Sequence, residues 1–127
     1  MFDIKTVLDL HDRLLAKYGG ASGVRDINLL DSALNRPFQT FGGEDLYPTY
    51  YEKAAAVIHS VILNHPFVDG NKRTGFLLGE TLLLNNYVEI KATENNCYDF
   101  VIKISTGELS FEDIVLWLQQ NTKPISL

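Results

Sequence analysis

Two apolar runs, Ala54 to Leu63 and Phe76 to Leu84, are separated by His65-Pro66-Phe67-Val68-Asp69-Gly70-Asn71-Lys72-Arg73-Thr74-Gly75. Apolar residues at Ala54, Ala55, Val57, Ile58, Val61 and Ile62 recur at helical spacing, and the second run is apolar on nearly all sides, as suits a helix in the middle of a bundle. A short polar connector between two buried helices is therefore the frame for the rest of the chain. If Gly70 and Asn71 open the second helix, their main-chain N–H groups project from its positive end, and Lys72 and Arg73 add charge there. This is a cradle for an anion, and phosphate fits it. His65, standing before the cradle, is a candidate general base, and Asp69 is an oxygen ligand suited to a magnesium ion bridging phosphates. A plain connector needs one glycine and one capping residue. A histidine, a carboxylate and two adjacent cations exceed that need.

The same stretch resembles the signature of the Fic/Doc family, His-x-Phe-x-Asp/Glu-Gly-Asn-Gly-Arg-x-x-Arg. His65, Phe67, Asp69, Gly70, Asn71 and Arg73 fall on that pattern, Lys72 replaces its glycine, and Phe76 replaces its second arginine. Both departures are those of the death-on-curing (Doc) branch, toxins of bacterial toxin–antitoxin pairs, and the resemblance runs along nearly the whole chain. It implies a helical fold and a site that uses ATP and Mg2+. In that site His65 is the catalytic base, Asp69 the metal ligand, and Gly70, Asn71, Lys72 and Arg73 the phosphate clamp, with Arg73 also catalytic. It implies too that residues 37–48 form a flap beside the site, where Thr40, Phe41, Gly42, Gly43 and Glu44 hold a target segment by main-chain pairing. Read from the residues alone, the same segment is equally a connection whose aromatics cover the core.

The activity implied is transfer of the γ-phosphate of ATP to a hydroxyl, a threonine, of a translation factor such as elongation factor Tu, which arrests translation. Two alternatives stand beside it: transfer of AMP to a protein hydroxyl, the commoner Fic chemistry, and a non-catalytic scaffold that binds its antitoxin. The family's second arginine helps orient the nucleotide, so the uncharged Phe76 favours the kinase, while intact His65 and Asp69 speak against the scaffold. The implied partner is a cognate antitoxin with a disordered segment that folds against the toxin and blocks the site. Thr40-x-x-x-Glu44-Asp45 approaches the inhibitory helix of some Fic proteins. It contains Gly42-Gly43, ends in the wrong residue and has no arginine at 76 to engage, so it is not read as an inhibitor.

At 127 residues and 46% apolar content the chain is read as a single domain, 1–127, with one sizeable core. A net charge of -5 argues against direct nucleic-acid or anionic-membrane binding, which needs a basic footprint. A lone cysteine, Cys97, fits a reducing compartment, and no leader or spanning segment is visible, so the chain is read as soluble and cytoplasmic.

In chain order, Val7, Leu10, Leu14 and Leu15 predict a helix of about Thr6 to Tyr18, stopped by Gly19-Gly20. His11-Asp12 lacks the further ligands a metal site would need and is expected to face solvent. Asp26 should cap a short helix ending near Arg36, ahead of Pro37. Thr49-x-x-Glu52 and Ser110-x-x-Asp113 are capping boxes, and Thr93 is a further cap. His59 lies roughly 240° around its helix from His65 and reads as packing, as does Trp117. Asn85-Asn86 offers a left-handed stop, Tyr87 to Ile90 an extended link, and Pro124 the end of order. Together these predict an all-α bundle of about six helices around the central apolar helix that follows the motif.

Overall fold

A computed structural model describes residues 1–126. Within them lie six α-helices: α1 (Ile4–Tyr18), α2 (Ile27–Asn35), α3 (Tyr50–Asn64), α4 (Asn71–Leu84), α5 (Glu94–Ser105) and α6 (Phe111–Gln120). Strands β1 (Thr40–Phe41) and β2 (Glu44–Asp45) form one small hairpin, and β3 (Val88–Ile90) and β4 (Thr122–Pro124) pair antiparallel in another sheet. The all-α expectation holds. No helix among the described residues is long and apolar enough to cross a membrane.

Helix starts follow local chemistry. The side chains of Asp3, Asp26, Thr49, Thr93 and Ser110 each accept a hydrogen bond from a first-turn N–H, giving orphan donors a partner. The Ser110–Asp113 box is complete in both directions. The Thr49 box is one-sided, because the Thr49 hydroxyl donates to Glu52 Oε1 at 2.9 Å while accepting from the Glu52 N–H. Pro37 ends α2 as expected, and the chain continues as a 3-10 turn over Arg36–Phe38.

The centre of the bundle is α3 rather than α4. Ala54 to Ile58, Val61 and Ile62 are fully buried, and α3 touches α2, the 3-10 turn, α4, α5 and α6. The smooth alanine face lets neighbours close in on every side, whereas α4 keeps Lys72 and Arg73 in solvent. The two helices lie antiparallel at short range because α4 presents glycines one turn apart. A Cβ at Gly75 would lie 3.1 Å from Ile62, and one at Gly79 would collide with Ile58. Close packing of α3 on α4 fixes the end of α3 relative to the start of α4, and the connector between them carries the polar motif.

Buried side chains form two clusters on either flank of α3. One holds Phe100, Ile104, Ile114 and Leu118 from α5 and α6, with Trp117 stacked on Phe100 at 3.8 Å. The other holds Val7, Leu30, Leu34, Val57, Val61, Phe67 and Leu78. Two turn expectations are corrected. Asn85 stays right-handed, and the left-handed residue is Tyr87, φ 61°. Pro124 does not end the order but closes β4 opposite Val88, a position that suits a residue without an N–H.

Candidate active site

α3 ends at Asn64, and His65 follows in the left-handed conformation, φ 49° and ψ 58°. Histidine adopts that region more readily than most non-glycine residues, and here it is held from outside. Arg25 donates from Nε to the His65 carbonyl at 2.6 Å and from its terminal nitrogen to the Asn64 carbonyl at 2.7 Å. The negative end of α3 is thus met by a cation. The Pro66 carbonyl accepts from the N–H groups of Arg25 and Asp26, and Val68 N–H donates to the Gly23 carbonyl at 3.0 Å. Residues 64–68 are therefore stitched to the α1–α2 connection. The His65 side chain is left exposed on a cleft of about 240 Å³ lined also by Val68, Asp69, Gly70, Asn71, Lys72 and Arg73.

Beneath the cleft, Phe67 is buried and Asn71 clasps its main chain. Phe67 N–H donates to Asn71 Oδ1 at 2.9 Å, and Asn71 Nδ2 donates to the Phe67 carbonyl at 3.0 Å. With the Asn71 side chain occupied and 7% exposed, what this residue can offer an anion is its main-chain N–H. Among the described residues the N–H groups of Asn71, Lys72 and Arg73 meet no protein acceptor, as the first turn of a helix requires. Gly70 caps α4 at φ 78°, a conformation glycine adopts without strain.

Asp69 is held at both oxygens: Oδ2 accepts from Ala21 N–H at 3.1 Å and Oδ1 from Gly70 N–H at 2.8 Å. These bonds, Ala21 first, keep its carboxyl below the usual carboxylate range; slight burial opposes them, and His11 and Lys72 pull the same way. The approach of Gly20 is tight, since a Cβ there would lie 2.8 Å from Asp69 Oδ2. Among the described residues no three His, Cys, Asp or Glu side chains converge. An ionised Asp69 with a free lone pair on each oxygen can supply the single protein carboxylate that magnesium takes when phosphates and water fill its other positions.

His11 does not face solvent, contrary to expectation. It is 2% exposed, its ring stacks on Phe67 at 3.9 Å with 10° between planes, and Nε2 donates to the Asp69 carbonyl at 2.8 Å. Val7, four residues earlier, shares the inward face of α1, so packing overrides the polarity of the His11-Asp12 pair. His11, Ala21 and Arg25 are the contributors to the site that sequence reasoning missed. The one local signal was the Gly19-Gly20 pair, which reads as a helix stop and also makes room for Asp69.

Lys72 and Arg73 are exposed, and neither takes part in an ion pair among the described residues. The Arg73 guanidinium lies over the Tyr18 ring at 4.3 Å. Phe76 lies outside the cleft lining: it is partly buried and packs edge-on against Phe100 at 6.3 Å. His59 is the packing residue expected of it, with Nδ1 3.0 Å from an Arg36 nitrogen. Thr40, Phe41, Gly42, Gly43 and Glu44 form an exposed hairpin, Thr40 opposite Asp45 and Phe41 opposite Glu44, and Phe41 is 84% exposed. The hairpin is tied at its base through Lys53 to Asp45 and Leu46 N–H to the Gln39 carbonyl, and it makes no hydrogen bond to the cleft residues.

The sequence model of the Fic/DOC family matches residues 1–83. Over 112 residues the chain is 38% identical to a protein of Mycolicibacterium smegmatis named Toxin Doc, covering 84% of this chain and 86% of that one. It is 25% identical over 108 residues to a protein of Escherichia phage P1 named Protein kinase doc, covering 85% and 84%. It is also 30% identical over 127 aligned positions to Protein adenylyltransferase Fic of Drosophila yakuba, spanning 84% of this chain but 25% of that longer protein.

Proposed function

The chain belongs to the Fic/Doc family, and from that premise we propose that it is a Doc-like toxin, a protein kinase that moves the γ-phosphate of ATP to a hydroxyl of a protein target. The observation that carries the reading is the cleft itself. One exposed histidine, one ionised carboxylate and an open helix N-terminus with two unpaired cations line the same small space. Coverage of most of both chains in the match to Toxin Doc supports the toxin assignment, and the relative named a protein kinase supports the chemistry.

In this reading the N–H groups of Asn71, Lys72 and Arg73, with the Lys72 and Arg73 side chains, hold the phosphates. His65 accepts the proton of the target hydroxyl as its oxygen bonds to the γ-phosphorus; the bond from that phosphorus to the bridging oxygen breaks, and ADP leaves. Magnesium, held by Asp69, would neutralise charge between the phosphates. Arg25 and His11 hold the loop that carries base and carboxylate, so neither group needs to be rearranged as charge develops. The exposed hairpin of residues 40–45 is proposed as the target-binding flap, a threonine of elongation factor Tu as the acceptor, and the cytoplasm as the site of action. A cognate antitoxin is the proposed regulator, and residues 1–127 are taken as one Fic/Doc domain.

AMP transfer is the second reading, favoured by the relative named an adenylyltransferase. Phe76 speaks for the kinase, because a side chain packed on Phe100 brings no charge to orient a nucleotide. The test is to incubate the protein with an extract of susceptible cells and ATP marked at either the α- or the γ-phosphate. Label from the γ position alone is expected. Label from the α position would overturn the kinase assignment in favour of AMP transfer, and no label from either would leave the antitoxin-binding scaffold.

A further inference from the structure

We infer that Tyr18, the last residue of α1, is a positioning residue that holds Arg73 ready for phosphate. The inference rests on the reading of the cleft as a nucleotide site. Arg73 is exposed and has no carboxylate within ion-pair distance among the described residues, yet its guanidinium carbon lies 4.3 Å from the centroid of the Tyr18 ring. An arginine that meets a carboxylate gives up the N–H donors on its edge, and its charge is offset. An arginine stacked on a ring is held by its face, so the edge donors and the whole charge remain for a bidentate grip on phosphate. The ring thus restricts the rotamers of a long side chain without competing for the ligand.

Tyr18 does not read as a core residue. It is 50% exposed and belongs to neither buried cluster nor to the side chains packed against them. Two cations lie over its ring, Arg73 and, at 5.2 Å, the Lys17 ammonium. The placement is set by the segment that follows. Gly19 closes α1 with its N–H on the Leu15 carbonyl, Gly20 lies against the Asp69 carboxylate, and Ala21 N–H donates to it. The four residues Tyr18 to Ala21 therefore fix two charged parts of the site at once: Asp69 through the main chain and Arg73 through the ring.

The test is a double-mutant cycle read as affinity for ATP with magnesium, measured calorimetrically on the full chain, with thermal melts alongside. Tyr18→Leu should weaken binding roughly two- to fivefold, the worth of an exposed cation–π contact. Tyr18→Phe should restore wild-type affinity, since the ring and not the hydroxyl meets Arg73. In an Arg73→Ala background, Tyr18→Leu should change nothing further, because the ring acts through the arginine. Equal losses in both backgrounds would overturn the inference, as would a Tyr18→Phe loss matching that of Tyr18→Leu or a Tyr18→Leu defect that tracks a lowered melting temperature. A wild-type chain with no affinity for ATP would overturn the nucleotide reading of the cleft itself, and this inference with it.

Discussion

Arg36 and Arg73 are both arginines beside aromatic rings, and they are opposites. Arg36 lies in the 3-10 turn beside the middle of α3, and its Nε and one terminal nitrogen meet protein atoms: Tyr47 Oη at 2.9 Å from Nε, and Ser60 Oγ at 2.8 Å, His59 Nδ1 at 3.0 Å and the Ala56 carbonyl at 3.5 Å from the terminal nitrogen. It joins the turn, α3 and the base of the hairpin, and the Phe111 ring of α6 covers it at 5.3 Å. Arg73 has the Tyr18 ring and no acceptor. The histidines of α3 divide the same way, His59 half-buried and bonded to Arg36, His65 exposed at the helix end. Charge alone does not mark a site in this molecule; exposed charge that no protein acceptor holds does, because its donors are left for a ligand.

The largest effect should come from the open side. His65→Ala is expected to reduce target labelling by about 10²- to 10⁴-fold, the range for losing a general base, with the melting temperature unchanged. Full labelling by a folded His65→Ala protein would remove the base from the mechanism. Next come the two arginines, which should fail in different assays. Arg36→Ala should cost about 2–3 kcal/mol in urea unfolding, since it strips partners from buried acceptors, while ATP affinity per folded molecule is kept. Arg73→Ala should leave unfolding unchanged and weaken the hold on ATP by about 1.5–3 kcal/mol. If both variants lost stability alike, the distinction between closed and open arginines would collapse.

The smallest effect is on pH. Burial, and then the charge of Arg36, lower the pKa of His59, so folding favours its neutral form. Its contribution is fully present above the unfolded value of about 6.5 and is lost as pH falls through the lower folded value. Asp69 is also depressed, by the Ala21 and Gly70 N–H groups, and as an acid it contributes above about 3.9 and loses that contribution further into acid. Melting temperatures should therefore decline in two separate windows. His59→Gln, which keeps an acceptor for Arg36, should flatten only the upper one. A decline just below about pH 6.5 that persists in His59→Gln would assign it to another group.

The sequence by itself determined the helices and the ingredients of the site. Caps such as Asp26, Thr93 and Ser110 act on N–H groups two or three residues away, so helix starts depend on neighbours that any reading of the chain includes. His65, Asp69 and Arg73 fall within nine consecutive residues, which is why their grouping was legible before any fold was known. Only the tertiary structure decided what holds them. His11 reaches the Asp69 carbonyl across 58 residues, Ala21 its carboxylate across 48, and Arg25 the His65 carbonyl across 40. Such pairings follow from how α1 packs on the α3–α4 pair, and no pattern within a helical turn encodes them. For the same reason the alanine face of α3 took the centre in place of α4: centrality depends on how closely neighbours can approach, and small side chains permit the closest approach.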